Sequence, residues 1–251
     1  MTELIETTNR GTFTPLPIGA VDWIRKAWHF VSQDKNALRQ QIKRVCIDWM
    51  GVTATDGRCL VHFPFGDEWL KGVHFQQRLS LGENNLVKRD KNEQLYINRD
   101  GTCSLLVSKN PSNGWNILSA QLQNGYPAWE RVCPHDYNER IDIGDDARKT
   151  LVKAMAGVSS KDKVTIAFEK RVLTFTWNNE IGTEHRQILQ IEATDYHDFV
   201  HWNSKELSFS VYFLLPILRS LKHTVIEYND EFTPVKFSGG DGWAILMPMR
   251  H

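Results

Sequence analysis

Four cysteines and nine histidines are the residues of this chain that could act as metal ligands, or as a nucleophile and its base. The step Cys133-Pro134-His135 places a thiol close to an imidazole, which is the pairing that either chemistry would use. The cysteines are otherwise far apart, and the sequence contains no CxxC and no HExxH motif. We therefore expect no catalytic residue, no metal and no cofactor, and free thiols in a reducing compartment.

Charge and hydrophobicity limit the possible partners. The 30 Lys and Arg residues cancel the 30 Asp and Glu residues, so any attraction to nucleic acid must come from local separation of charge. The N-terminus, MTELIETTNR, lacks the apolar stretch of a signal peptide, and the longest apolar run, residues 211–218, is too short to span a bilayer. We expect a cytoplasmic protein with no membrane partner.

The elements that must position any site are short strands with a few helices between them. Apolar residues at helical spacing predict helices at residues 19–31, 145–158 and 211–221, and the best candidate for a fourth is 79–89. Short apolar runs bounded by turn residues predict the strands. These runs are residues 45–49, 52–55, 94–97, 104–108, 115–122, 164–168, 172–177, 185–192, 207–210, 224–228, 235–237 and 243–247.

A weak internal repeat of roughly 120 residues divides the chain. In the first half a helix precedes VCIDW, a turn and VTAT; in the second half a helix precedes VTIAF, a turn and LTFT. We expect an α+β protein with an N-terminal tail at residues 1–11 and two tandem domains, 12–134 and 135–251, each with antiparallel sheets.

Three segments carry a family resemblance. Residues 52–60 have the pattern of a strand, an Asp-Gly turn and a second strand, and they resemble the ATDG-H-R-L signature in the middle domain of the bacterial sliding-clamp family, the β subunit of DNA polymerase III. Residues 122–134 resemble the G-x-[YF]-P-x-[YW]-x-R-V-x-P segment that leads to the last domain, and 244–251 resemble the C-terminal strand followed by M-P-M-R. Residues 209–215 also resemble the start of a last-domain helix. The resemblance covers residues 12–251, so we expect no equivalent of the family's first domain.

The resemblance implies two tandem clamp domains whose helices line an inner face while the antiparallel sheets lie outside. It implies a non-enzymatic sliding clamp that encircles double-stranded DNA, touches phosphates weakly and reads no bases. Its partners would be a DNA polymerase, other clamp-binding proteins and a clamp loader, on the nucleoid. The basic residues expected to face DNA are Arg25, Lys26, Arg148, Lys149, Lys153, Arg219 and Lys222. The alternative is that they form ordinary solvated helix faces.

Clamps also bind a short client peptide, typically through Leu and Phe anchors, in an apolar pocket between the middle and last domains. The positions that match this pocket are Thr55, Gly57, Arg58, Leu60, Pro127, Arg131, Val132, Pro234, Ile245, Leu246, Met247, Pro248, Met249 and Arg250. Aliphatic walls with two methionines would make a surface that adapts to varied peptides. The alternative is that Ile245 and Leu246 are core residues and that residues 247–250 fray.

Three departures from the family bear on assembly and specificity. The usual His-Arg after ATDG is Arg58-Cys59 here, and Pro216 falls inside the last-domain helix, which we expect to be kinked or to begin later than in relatives. Family rings contain six domains, so two domains per chain predict a head-to-tail homotrimer. Its interface would join the edge strand around Trp115 and Leu118 to the region of Val158. The alternative is a clamp-like decoy or regulator that binds clamp-interacting peptides or replication proteins without closing a ring.

Overall fold

The strands and helices of the computed structural model follow the apolar spacing of the sequence. The structure describes residues 12–34, 36–37, 39–66, 79–81, 94–99, 104–110, 114–118, 121–122, 126–134, 136–169, 172–178, 186–192, 195–196 and 206–249. They belong to two compact units: Met1–Gly57 with His62–Pro127, and Arg58–Val61 with Ala128–His251. The predicted division after Pro134 lies a few residues beyond this one, and the predicted tail lies outside the described residues.

The first unit contains helix α1 (Ala20–Trp28) and two antiparallel groups of strands. One group has the order β1-β6-β7-β8, and the other has the order β4-β3-β2-β5-β9. Their bounds are β1 Thr12–Pro15, β2 Val45–Ile47, β3 Gly51–Thr55, β4 Cys59–Pro64, β5 Leu79–Leu81, β6 Gln94–Arg99, β7 Ser104–Asn110, β8 Gly114–Leu118 and β9 Gln121–Leu122. Helix α1 buries Ala20, Val21, Ile24 and Ala27 and contacts β2, β3 and β6. These buried residues recur at helical spacing, so burying this apolar face against the strands stabilises the helix.

The second unit contains helices α2 (Asp145–Met155) and α3 (Val211–Ser220) with two antiparallel groups of strands. One group has the order β13-β12-β11-β15, and the other β14-β10-β16-β17-β18, followed by the part of β4 that belongs to this unit. Their bounds are β10 Glu139–Ile143, β11 Lys163–Glu169, β12 Val172–Asn178, β13 Arg186–Glu192, β14 Asp195–Tyr196, β15 Glu206–Ser210, β16 Thr224–Tyr228, β17 Val235–Gly239 and β18 Gly242–Leu246.

Aromatic contacts join the two groups of strands in the core of the second unit. Phe168 of β11 stacks on Tyr228 of β16 with ring centroids 5.0 Å apart, and Phe209 of β15 meets Phe237 of β17 edge-on at 5.7 Å. Offset and edge-on pairs of this kind stabilise a core beyond the area that they bury. The last residue of β17, Gly239, must be a glycine, because a Cβ there would overlap the carbonyl oxygen of His223.

Most of the predicted elements are confirmed to within a few residues, and two are not. Residues 79–81 of the predicted helix 79–89 form strand β5, and the rest of that helix lies outside the described residues. The predicted strand 115–122 is two strands, because β8 pairs with β7 whereas β9 pairs with β5. The predicted helix 211–221 is confirmed as α3, which starts at Val211 and continues through Pro216; that it is kinked or begins later than in relatives stays a prediction. Pro216 lacks the amide that would donate to the Tyr212 carbonyl, and Tyr212 is exposed, so water can reach that end of the helix.

Among the described residues, no helix is long and apolar enough to cross a membrane. The same residues contain no group of three or more His, Cys, Asp or Glu side chains placed to hold a metal ion.

Candidate peptide-binding surface and DNA-facing helices

The segment that follows β18 is held in place by two backbone hydrogen bonds. The Met247 amide donates to the Arg58 carbonyl at 3.3 Å, and the Met249 amide donates to the Ser208 carbonyl at 2.7 Å. Pro248 is buried between them, whereas the side chains of Met247 and Met249 are 41% and 43% exposed. Residues 247–249 are therefore ordered and present two methionine side chains to solvent. Arg250 lies outside the described residues.

Ile245 and Leu246 lie on opposite faces of β18, because side chains alternate along a strand. Leu246 is paired with Val235, both are fully buried, and Leu246 therefore belongs to the core of the unit. Ile245 is paired with Lys236 on the other face. Ile245, which is only 4% exposed, lies on the face away from the core; that both residues line a pocket stays a prediction.

A short 3-10 turn, Trp129–Val132, covers the Ile245 face of the sheet. The Trp129 ring packs on the ring of Trp243, which is two residues before Ile245 and on the same face, at 5.8 Å. This contact leaves Arg131 exposed and Val132 54% exposed at the edge of the turn. Val132 is therefore an exposed apolar side chain in the same short turn as Trp129, which packs on Trp243.

The predicted pocket residues are divided between the two units. Thr55, Gly57 and Pro127 belong to the first unit, and Arg58, Leu60, Arg131, Val132, Pro234 and the C-terminal residues belong to the second. The Asp-Gly turn is confirmed as a turn: Gly57 has φ +94° and its amide donates to the Thr55 hydroxyl at 3.0 Å. Arg58 is exposed next to this turn, whereas Leu60 is buried.

Phe232 is a residue that the sequence prediction missed. It lies in the loop between β16 and β17, two residues before the predicted pocket residue Pro234, and its side chain is 65% exposed. The Asp230 carboxylate fixes this loop by accepting hydrogen bonds from the amides of Phe232 and Thr233, both at 2.8 Å. The available signal was the Asp-x-Phe-Thr order, which is typical of a side-chain-capped turn.

The basic residues of α1 are partly engaged within the first unit. Lys26 pairs with Asp22 at 2.9 Å, its side chain is only 22% exposed, and its ammonium lies 5.9 Å from the centre of the Phe63 ring. Arg25 is half-buried. Lys26 is therefore balanced by a carboxylate and covers an aromatic ring, which reduces the charge that it could offer to DNA.

Arg148 is bound inside the second unit. Its guanidinium donates to the carbonyls of Leu218 and Lys222, both at 2.7 Å, and to the Asp145 carboxylate, and its side chain is 11% exposed. The Leu218 carbonyl lies in the last turn of α3, where it has no partner within the helix, and Lys222 lies two residues beyond the end of that helix. Arg148 thus ties the start of α2 to the end of α3. This arrangement does not fit the prediction that Arg148 faces DNA.

The other predicted DNA-facing residues of this unit are exposed. Lys149 and Lys222 are 61% and 75% exposed, and the side chains of Lys153 and Arg219 are also exposed. Lys149 pairs with Asp145 at 2.7 Å; hydrogen bonds from Lys149 and Arg148 hold the pKa of Asp145 below its usual range, and the same carboxylate raises the pKa of Lys149. Lys222 lies 3.9 Å from Asp241.

The residues predicted to form a subunit interface lie in or near strands at the ends of sheets. Trp115 and Leu118 are in β8, the end strand of the order β1-β6-β7-β8 in the first unit. In the second unit β13 is an end strand, and α2 contacts it. Val158 is half-buried just after α2.

The environments of Cys133 and His62 do not favour catalysis by these two residues. Burial, and then the negative charge of Glu130, raise the pKa of the Cys133 thiol to about 11, so the thiolate is scarce at neutral pH. Burial lowers the pKa of His62 to about 4, and its Nδ1 lies 2.8 Å from the Thr53 hydroxyl in a closed core. His135, the predicted partner of Cys133, lies outside the described residues.

Neither a family model nor a curated protein sequence matches the chain. Solved structures do match it. The Helicobacter pylori β clamp bound to a DNA ligase peptide matches 96% of this chain with 66% of its own length, at 15% identity and a TM-score of 0.72. A DNA polymerase sliding clamp from Pseudomonas aeruginosa with a ligand matches 95% of this chain with 66% of its own length, at 14% identity and a TM-score of 0.73.

The chain therefore has a mixed helix-and-sheet clamp fold with antiparallel sheets, as predicted. Solved structures that share this fold include β clamps of bacteria, and this chain spans about two thirds of the length of those named above.

Proposed function

We propose that the chain is a DNA sliding clamp that encircles duplex DNA and tethers a polymerase and other clients through an apolar peptide-binding surface. The observation that carries the proposal is the match of 96% of the chain to the β-clamp fold. A sliding clamp needs no catalytic centre, and a clamp loader would open and close the ring. Catalytic residues, a metal and a cofactor are not part of the proposal.

The proposed client surface is defined by four side chains of the second unit: Val132, Ile245, Met247 and Met249. Three of them are exposed apolar side chains on a fixed backbone, which is how a preformed peptide site gains affinity without an ordering cost. Methionine adapts its shape to different partners, which suits a surface that takes several clients. The Helicobacter pylori β clamp was solved with a DNA ligase peptide bound to it, and a peptide of similar kind is the proposed ligand here.

The peptide surface can be tested by replacing both exposed methionines with serine. Each Met side chain has about half of its surface left to bury, so the double variant should weaken a fluorescein-labelled peptide with Leu and Phe anchors by about tenfold or more. The control is Lys149→Ser, an exposed change on α2 that should leave peptide affinity unchanged. Equal affinity for the double variant and the wild type would rule out this surface.

We further propose that three chains close a head-to-tail ring. With two units per chain, three chains supply the six units of a clamp ring. Strands β8 and β13, which end their sheets, could pair across each joint by main-chain hydrogen bonds, next to Val158. Light scattering should then give three times the 29.0 kDa mass of the chain, and a monomer at every concentration would exclude a stable trimer.

Encirclement of DNA has a direct test. Protein loaded on a nicked circular plasmid by a clamp loader and ATP should co-elute with the plasmid at high salt. It should be released when a single restriction cut opens the circle, because a ring slides off a free end. Retention that survives the cut would mean ordinary binding instead of encirclement.

A second candidate function is a clamp-like decoy or regulator that binds clamp-interacting peptides and closes no ring. The observation that favours it is the solvent face of α3, where Tyr212 is 44% exposed and Leu215 and Pro216 are half-exposed, beside an Arg148 that is bound internally. Arg219 is the one basic residue that α3 adds to this face. This candidate predicts a monomer that binds the anchor peptide with unchanged affinity and is not retained on the circular plasmid.

A further inference from the structure

The loop of residues 229–233 is rigid, yet it presents a large aromatic side chain to solvent. The amide of Asp230 donates to the Thr233 hydroxyl at 3.3 Å, in addition to the two hydrogen bonds that the Asp230 carboxylate accepts. The Asn229 amide group binds residues 136–138 twice: it accepts from the Asn138 amide at 2.7 Å and donates to the Asp136 carbonyl at 3.1 Å. The backbone at Phe232 is therefore fixed by these hydrogen bonds, and 65% of the residue's surface stays exposed.

The loop lies beside the proposed client surface. Strand β17 begins right after it, and the first residue of β17, Val235, is paired with Leu246, the last residue of β18. The loop therefore adjoins the exit of β18, where Met247 follows. Arg58 lies on the other side of β18, because β4 is the other neighbour of that strand and the Arg58 carbonyl accepts the Met247 amide. The methionine segment thus has an arginine on one side and this loop on the other.

The charges around Phe232 are negative. Glu231 and Asp136 are exposed, and Asp230 is half-buried with one carboxylate oxygen already used by the loop. Glu227, in strand β16 before the loop, is balanced by Lys236 at 2.9 Å and Arg140 at 3.8 Å, and Lys236 also lies 5.5 Å from the centre of the Tyr137 ring, so these two cations are engaged within the unit. A cation over an aromatic face beside a carboxylate gains both a cation–π and a Coulomb contribution.

We propose that this loop is a docking subsite for a Lys or Arg side chain of the client peptide, with Phe232 as the stacking surface and Glu231 as the counter-charge. The inference rests on the proposed client-binding function, because the cation would belong to the peptide whose apolar anchors contact Met247 and Met249. The contrast between Arg58 on one side and the acidic loop on the other would also fix the direction in which the peptide lies. Client specificity would then include a basic residue that flanks the anchors.

The test uses fluorescein-labelled peptides that share one Leu and one Phe anchor and differ at one flanking residue, which is Arg, Gln or Glu. The variable residue is placed before the anchors in one set and after them in the other, and affinity is measured by fluorescence anisotropy with the full chain. In one set the Arg peptide should bind about fivefold tighter than the Gln peptide, and the Glu peptide should bind more weakly than either. The difference should shrink as salt is raised.

Two variants assign the preference to the loop. Glu231→Lys should reverse the order of the Arg and Glu peptides. Phe232→Leu should leave the Gln peptide within about twofold of the wild type and remove most of the Arg preference. Both side chains are exposed, so neither change should affect folding, and urea unfolding serves as the check.

The possible failures are distinguishable. If all peptides bind the wild type equally, but the double methionine-to-serine variant weakens all of them, the client surface stands and the cation subsite does not. An Arg preference that Glu231→Lys leaves unchanged would also overturn the subsite. If no peptide binds the wild type, the proposed client function fails, and this inference fails with it.

Discussion

Replacing Arg148 with methionine separates a structural role from a DNA-binding role. The variant keeps the apolar stem of the side chain and removes every hydrogen bond of the guanidinium. In the structure these bonds reach two backbone carbonyls at the end of α3 and the Asp145 carboxylate, all between 2.7 and 2.9 Å. The variant should therefore loosen the contact between α2 and α3.

The expected loss follows from what is left without a partner. The Lys222 carbonyl is exposed and can turn to water, whereas the bond to the Leu218 carbonyl is partly buried. A hydrogen bond from a charged donor stabilises a protein by about 1.5–3 kcal/mol. The partly buried bond to Leu218, with a smaller contribution from the exposed bond to Lys222, therefore predicts a loss of about 2–3 kcal/mol in the free energy of unfolding. Urea unfolding followed by circular dichroism measures it, with Lys149→Met as the control for an exposed cation on the same helix.

An unchanged free energy of unfolding for Arg148→Met would instead support the prediction that Arg148 faces DNA. If the free energy of unfolding of Arg148→Met is within about 0.5 kcal/mol of the wild type while retention on circular DNA falls, the guanidinium binds DNA and does not stabilise the contact between α2 and α3. If stability falls and retention per folded molecule does not, Arg148 is structural, and the charge that faces DNA comes from its neighbours.

Two further predictions concern the stability of each unit. Since burial lowers the pKa of His62 from 6.5 to about 4, this residue contributes stability above pH 6.5 that is lost as pH falls towards 4, by at most about 3 kcal/mol. The double variant His62→Leu with Thr53→Val removes both partners of this hydrogen bond. Its free energy of unfolding in urea should change less between pH 7 and 4 than that of the wild type. Equal pH dependence in the two proteins would contradict a buried neutral imidazole. Gly239→Ala should destabilise the second unit by about 2 kcal/mol or more, since its Cβ would overlap a backbone oxygen, whereas Gly157→Ala meets nothing within 4 Å and should unfold like the wild type.

The sequence predicted the fold because the signal that defines it is local. Apolar residues at helical spacing located α1, α2 and α3, and the predicted strand 224–228 agrees with β16 at both ends. The error at residues 79–81 arose because three residues, Leu-Ser-Leu, fit one turn of a helix as well as a strand. Their pairing with β2 and β9 decides the matter, and it depends on residues far away in the sequence.

The site was harder to predict because its residues act through distant partners. The role of Arg148 depends on carbonyls some seventy residues later, which no spacing rule can reveal. Leu246 and Ile245 look alike in sequence, and only the strand register shows that one faces the core. Phe232 gave no periodic signal, because a single aromatic residue in a polar turn belongs to no helix or strand pattern.

The charges of the second unit predict a low affinity for DNA when the protein is not closed around it. Arg148 is bound internally and Lys149 shares the Asp145 carboxylate, so α2 and α3 offer mainly Lys153 and Arg219 to a phosphate backbone. Each phosphate contact steepens the salt dependence of binding, so unloaded protein should bind linear duplex weakly, with a shallow salt slope. Protein loaded on a circular plasmid should instead remain bound from about 50 mM to 500 mM salt, since closure does not depend on charge. Loaded protein that dissociates over this range, with the same slope as the unloaded protein, would show that no ring had closed and would favour the decoy.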